Sequence, residues 1–393
     1  MSTLAERMAQ EGGAEGGERA AVRPALAGAS AREKARPSVE DYSLDELLAM
    51  AAERQASDVH ITANLPPTLR VDGRLRPMNF ERLEPIGCQR LIYSILTDHQ
   101  ISEFERKHEL DFSHGIAKVG RFRVNVYMQR GSVGAAFRLI PRRIPNFEEL
   151  GLPGVVRQLA DRSSGLILVT GPTGSGKSTT LAAMVDYINQ TRDCHVITIE
   201  DPIEYLHRHG RAMVNQRELG SDTYDWAAAL RSALREDPDI VLIGEMRDLE
   251  TIDSALKIAE TGHLVLGTLH TRNAPQSVDR IIDVFPPHNQ EQIRVLLAGT
   301  LEAVIAQQLL PKINGLGRLP AVEVMVVNAG IRNLIREGKT HQIYSMIETG
   351  GDEGMQTMDR ALASMVRHGQ VSGMEAMARA IDQDTYRRWL ATL

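Results

Sequence analysis

Gly165-Leu-Ile-Leu-Val-Thr-Gly-Pro-Thr-Gly-Ser-Gly-Lys-Ser-Thr-Thr180 passes from an apolar run into glycines and then into hydroxyl residues. That order predicts strand, loop and helix. Gly171, Gly174 and Gly176 carry no Cβ, so the backbone can turn sharply and gather several N–H groups around an anion. Lys177 adds a mobile positive charge for the outer phosphates, Ser178 a hydroxyl for Mg²⁺, and the helix opening there points its positive end inward. The spacing Gly171-x4-Gly176-Lys177-Ser178 is the Walker A pattern. Gly171, Pro172, Thr173, Gly174, Ser175, Gly176, Lys177, Ser178 and Thr179 are therefore the expected cradle for a nucleoside triphosphate. A glycine-rich turn that binds nothing needs neither Lys177 nor Ser178.

Working outward toward the carboxyl terminus, strand-like runs at Leu166–Val169, His195–Ile199, Ile240–Ile243 and Leu264–Leu269 alternate with helical patterns at Trp226–Glu236 and Leu249–Glu260. Such alternation predicts an α/β domain with a parallel sheet covered on both faces and its site at the strands' carboxyl ends. Acids are expected at that edge. One run ends in Glu200-Asp201-Pro-Ile-Glu204 and another in Gly244-Glu245-Met-Arg247-Asp248. A carboxylate beside phosphate and Mg²⁺ can hold the metal through water, orient the attacking water or accept its proton. Glu204 and Glu245 are the expected catalytic acids beside Lys177, with Glu245 and Ser178 toward the metal, whereas Asp248 reads as the cap of the helix starting at Leu249. His263 and His270 bracket Leu264–Leu269 and read either as phosphate sensors or as hydrogen-bonded filler.

On the amino-terminal side, Pro141, Pro145 and Pro153 mark a linker. Before it, Leu44, Leu47, Leu48 and Ala51 share a helix face that Ser43 can cap and Glu46 can box. Strands are predicted at Asp58–Thr62, in a hairpin around Asp72-Gly73, at Arg121–Tyr127 and at Gly134–Ile140, with a helical stretch at about 87–107. This is a small α+β domain. Residues 1–40 hold almost no large apolar side chain and read as a disordered tail. The expected division is 1–40, 41–145 and 146–393, the last becoming mainly helical from about 331.

A chain of 393 residues exceeds one usual core, and its 42% hydrophobic content can bury two. A net charge of -6 argues against gripping nucleic acid or an anionic membrane. Cys88 and Cys194 form neither a disulfide framework nor a zinc site, and no apolar stretch approaches the ~20 residues of a membrane span. A cytoplasmic protein with only peripheral membrane contact is expected.

Gly171–Thr180, Ile199-Glu-Asp-Pro-Ile-Glu-Tyr205, Leu234–Arg247 and Thr261-Gly-His-Leu-Val-Leu-Gly-Thr-Leu-His-Thr271 resemble the Walker A, Asp box, Walker B and His box of the secretion ATPases. Within that superfamily the chain resembles the branch of type IV pilus retraction motors over roughly 43–380. The resemblance implies a RecA-like P-loop motor domain, a PAS-like amino-terminal domain, nucleotide between them and a homohexameric ring. It implies Glu204 as catalytic carboxylate, Glu245 as the Walker B acid, and His263 and His270 as the coupling to movement. Arg121, Arg123 and Arg138 resemble the arginines that reach the nucleotide, although an alternating strand with solvated faces would look the same. Gly244 stands where many P-loop proteins carry an aspartate, so Glu245 would act on Mg²⁺ through water.

Ala329-Gly-Ile-Arg-Asn-Leu-Ile-Arg-Glu-Gly338 resembles the retraction-motor signature with Gly330 between its Ala and Ile, and no cysteine after Cys194 supplies the paired zinc ligands of assembly motors. Periodicity alone makes this segment a core-packing helix with Arg332, Arg336 and Glu337 on its polar side, and only the resemblance implies that this side transmits the nucleotide state to a partner. The implied partners are an inner-membrane platform protein and an accessory retraction paralogue, without nucleic acid. Rival readings are that accessory paralogue itself, a type II/IV secretion ATPase, and a RecA-like nucleic-acid translocase with DNA-stimulated turnover.

Overall fold

The structure is a computed structural model that describes residues 37–141 and 143–392. The tail expected over 1–40 lies outside the described residues as far as residue 36. From Pro37 the expectation is corrected, because Ser38 accepts the Glu40 N–H and Val39 is buried in the first core.

Leu44, Leu47, Leu48 and Ala51 are the buried face of helix α1 (Leu44–Glu53), and Ser43 with Glu46 forms the expected capping box. Next come β1 (Asp58–Ile61), β2 (Thr68–Val71), β3 (Arg74–Pro77), α2 (Pro85–Tyr93), α3 (Asp98–Lys107), β4 (Glu109–Ile116), β5 (Gly120–Gln129) and β6 (Ser132–Leu139). The β2–β3 turn places Asp72 and Gly73 at φ 49° and 76°, as a two-residue hairpin requires. The helical stretch expected at 87–107 divides in two, because Thr97 caps a new helix and Gln100 boxes it. These strands form one antiparallel sheet, in the order β3-β2-β1-β6-β5-β4. Phe122, Val124 and Val126 alternate into its core, leaving Arg121 and Arg123 together on the other face of β5.

The proline-marked linker contains α4 (Phe147–Leu150), and α5 (Val155–Ala160) follows. The second sheet then begins with β7 (Gly165–Thr170), α6 (Lys177–Thr191), β8 (His195–Glu200), β9 (Met213–Glu218), α7 (Trp226–Ala233), β10 (Ile240–Ile243), α8 (Leu249–Glu260) and β11 (Leu264–Leu269). After α9 (Ala274–Asp283) and α10 (Gln290–Thr300), β12 (Leu301–Pro311) and β13 (Arg318–Val326) complete it. The order is β13-β12-β7-β11-β10-β8-β9. Six strands run parallel, as the alternation predicts, and β13 adds an antiparallel edge strand beside β12. The reason is local: residues 312–317 are too few to cross over, so they close a hairpin.

All six residues of β7 are buried, with one apolar cluster against α5 and α6 and another against α8, α9 and α10. Helices α11 (Ala329–Arg336), α12 (Ile343–Thr349), α13 (Met358–Arg367), α14 (Gly373–Arg379) and α15 (Gln383–Thr392) finish the chain, as the helical pattern from about 331 predicted. Ile331 and Ile335 of α11 are core residues, and Arg336 is exposed. Arg332 is not on a free face. Its guanidinium donates to the Ala298 and Gly299 carbonyls at the end of α10, at 2.7 and 3.2 Å, and to Glu302 at 2.6 Å. It staples two elements together, which removes it from the outward-facing pair. Among the described residues no helix is long and apolar enough to cross a membrane.

Candidate active site

The loop between β7 and α6 holds Gly171, Gly174 and Gly176 at φ 141°, 78° and 91°, values that L side chains rarely adopt. Gly171 is further confined by Gln307 of β12, whose carbonyl a Cβ would strike. The side chain of Gln307, itself buried, donates to the Ser175 carbonyl at 2.7 Å and accepts the Thr180 hydroxyl at 2.9 Å. One amide therefore pins the loop to the first turn of α6. Lys177 lies across the loop, its ammonium donating to the carbonyls of Gly171 at 2.9 Å and Pro172 at 3.3 Å. Burial pushes its pKa down, and the charges of Glu245 and Glu204 push the other way.

Adjacent strands β8, β10 and β11 deliver their carboxyl ends beside this loop. Glu245, one residue past Gly244, is gripped by Arg247 at 2.6 Å and by His270 at 2.9 Å. The Arg247 hydrogen bond, against some desolvation, holds the Glu245 carboxyl below the usual range. A Cβ on Gly244 would lie 3.1 Å from Glu200 Cα and 3.2 Å from the Ile199 carbonyl, so an aspartate there would require the neighbouring strand to give by a few tenths of an ångström. Asp248 caps α8 through the Thr251 N–H, as expected. Glu204 is exposed, lines the cleft, and has no side-chain hydrogen bond among the described residues. Its loop is held by Tyr205, whose hydroxyl is 2.9 Å from Thr179 Oγ1, and by Gln216 of β9, which donates to the Tyr205 carbonyl at 2.8 Å.

These groups surround a cleft of about 530 Å³ lined by Thr173, Gly174, Gly176, Lys177, Ser178 and Thr179 on one side and Glu200, Glu204, Glu245 and His270 on the other. That volume suits a nucleotide. Glu200 was not singled out by sequence. It is raised in pKa by burial, accepts Thr198 Oγ1 at 2.7 Å and Gln216 Nε2 at 3.1 Å, and looks in sequence like any acid of its motif. Leu309 and Arg318, on the β12–β13 hairpin, also line the cleft and carried no sequence signal.

Of the three arginines expected at the nucleotide, the chain brings only Arg123 to this cleft. Arg138 pairs with Asp58 on its own sheet at 2.9 Å and lines an adjoining groove, while Arg121 lies 3.2 Å from Glu218. His263 is likewise corrected. It precedes β11 and His270 follows it, so seven residue steps at about 3.3 Å each put them roughly 23 Å apart, at opposite ends of that strand. His263 Nδ1 instead sits 2.9 Å from Thr261 Oγ1, and its carbonyl accepts the Gly165 N–H at 3.0 Å.

The chain matches the family model for type II/IV secretion system proteins over residues 32–379. It is 52% identical to the type IV pilus retraction ATPase PilT of Pseudomonas aeruginosa over 86% of this chain and 98% of that one. With the type IV pilus ATPase PilU of the same organism it shares 40% identity, over 86% and 88% of the two chains. A crystal structure of the pilus retraction motor PilT with bound ADP superposes with a TM-score of 0.83 at 50% identity, covering 88% of this chain and 99% of that one.

Proposed function

The chain belongs to the type II/IV secretion system protein family, and from that premise we propose that it is a hexameric ATPase that drives type IV pilus retraction. The observation that carries the reading is the convergence of Lys177, Glu204 and Glu245 on one cleft beside a glycine loop. Lys177 balances the charge that develops on the transferred phosphoryl group. Glu204, exposed and without a side-chain hydrogen bond among the described residues, orients the attacking water and takes its proton. Arg247 and His270 keep Glu245 ionised beside it.

Ser178 and Glu245 supply hard oxygen donors of the kind Mg²⁺ accepts, and both line the cleft. Bound with the nucleotide, Mg²⁺ would neutralise phosphate charge, with Ser178 holding it and Glu245 acting through water. Arg123 faces the phosphates from the first sheet. His270, through Glu245, is the group that couples their loss to movement. The greater likeness to PilT than to PilU supports a retraction motor over an accessory paralogue. We place the ring in the cytoplasm, docked on an inner-membrane platform protein, with no nucleic acid involved.

The test has two parts. Purified Lys177→Ala should lose ATP hydrolysis, and Glu204→Gln should retain nucleotide binding while turnover falls by about 10²-fold or more. In the parent cell, deletion should leave surface pili present but unable to shorten. Full turnover by Lys177→Ala refutes the site, and bald deletion cells refute retraction.

A further inference from the structure

Glu218 ends β9, and its side chain is 3% exposed. One carboxylate oxygen accepts the Ile203 N–H at 2.9 Å, and the other lies 3.2 Å from Nη2 of Arg121. Ile203 immediately precedes Glu204, whereas Arg121 belongs to β5 of the first sheet. A single buried carboxylate thus grips both the loop that carries the proposed catalytic acid and the opposing sheet. It is firmly mounted: its own N–H donates to Asp222 at 2.8 Å, and its backbone pairs with Glu200 in the β8–β9 ladder. A carboxylate this buried is costly without its cation, so, with the backbone fixed, the carboxylate end of Glu218 follows Arg121.

Arg121 and Arg123 lie on one face of β5, two residues apart. The first holds Glu218 and the second faces the nucleotide cleft. A rigid strand carries both, so a ligand charge that draws Arg123 inward also displaces Arg121. We propose that Glu218 is a positioning residue for hydrolysis, passing the displacement of β5 through Arg121 to the backbone at Ile203 and so to Glu204. This deepens, and rests on, the ATPase reading of the cleft.

Arg121 is the residue to change, since Glu218 is buried and its replacement can unfold the loop. Misplacing a reacting group by about 1 Å loses on the order of a hundredfold in rate, so Arg121→Gln should lower kcat by about ten- to a hundredfold. KM for ATP and nucleotide binding should stay near those of the parent, the melting temperature should fall because the buried Glu218 loses its cation, and Arg121→Lys should restore part of both losses. The decisive measurement is single-turnover hydrolysis in a Glu204→Gln background. There Arg121→Gln should add nothing, because the group it positions has been removed.

A kcat unchanged by Arg121→Gln overturns the proposal, as does a loss that multiplies with that of Glu204→Gln. A loss of folded protein at the assay temperature that accounts for the whole fall in kcat would reduce the pair to a structural contact and also overturn it. Lys177→Ala, run alongside, separates the two levels. If it too remains active, the ATPase site falls and this relay with it; if only Arg121→Gln is active, the relay alone falls.

Discussion

At Gly244 a Cβ would press on Glu200 Cα and the Ile199 carbonyl, both backbone atoms that cannot rotate away. Gly244→Asp, which would give the loop the acid many P-loop proteins have there, should therefore destabilise the chain by about 1–3 kcal/mol. It should also lower ATP turnover, since Glu200 and Glu245 flank the intrusion. Urea melts and steady-state hydrolysis check this; a variant as stable and active as the parent would show that β8 yields, contrary to the packing. The phosphate loop was legible in sequence because its chemistry is contiguous: glycines, a lysine and hydroxyls within ten residues. Gln307 was not, because its partners lie 127 and 132 residues away and an amide in an apolar run has no local signature. His263 misled for the same reason. A motif brackets a strand with two histidines, but a strand has two ends.

The capped helices α1 and α8 were readable from sequence because a cap is a contact between residues three apart. Strands β9, β12 and β13 were not, since β9 is polar and β12 carries a Gln pair within an apolar run that equally suits a helix. Their pairing decides what they are. Glu323 of β13 shows what such a strand does once placed: fully buried, it accepts the first N–H groups of α9 and α13, from Ala274 at 2.8 Å and Met358 at 3.3 Å. Asp359 stands close by, taken up by the Tyr344 hydroxyl and the Ile381 and Asp382 N–H groups. Burial pushes the Glu323 carboxyl up from 4.5 to about 7, with Asp359 adding to the rise and the two N–H bonds opposing it. Because the folded value is the higher one, its stabilising protonated form is fully present below about 4.5 and is lost as pH rises through about 7. Relative to Glu323→Gln, the parent should lose on the order of 3 kcal/mol between pH 4.5 and 8. Denaturation series across that range measure it, and parallel stability curves for the two proteins would contradict it.

The two sheets and the parallel core of the second were legible from alternation and from the linker prolines, whereas the cleft between the sheets depends on how they face each other, which no local pattern records. That facing decides which arginines can work. Arg138 is tied to Asp58 and Arg121 to Glu218, so Arg123 is the one of the three that lines the cleft, and it does so within its own chain. In the proposed ring this has a consequence that mixing can read. Subunits with Lys177→Ala keep Arg123 but cannot use their own glycine loop, and subunits with Arg123→Ala keep the loop but lack the arginine. If Arg123 served the neighbouring subunit's loop, mixed rings would contain complete sites and regain turnover well above the sum of the two variants. Because the structure closes each cleft with the same chain's β5, every mixed site lacks one partner, and turnover should follow the weighted sum of the separate proteins or fall below it. Reassembling the two variants across a range of ratios and recording ATP hydrolysis at each distinguishes these outcomes. A maximum near equal amounts would move Arg123 to the subunit interface and require the two sheets to face each other across neighbouring chains rather than within one.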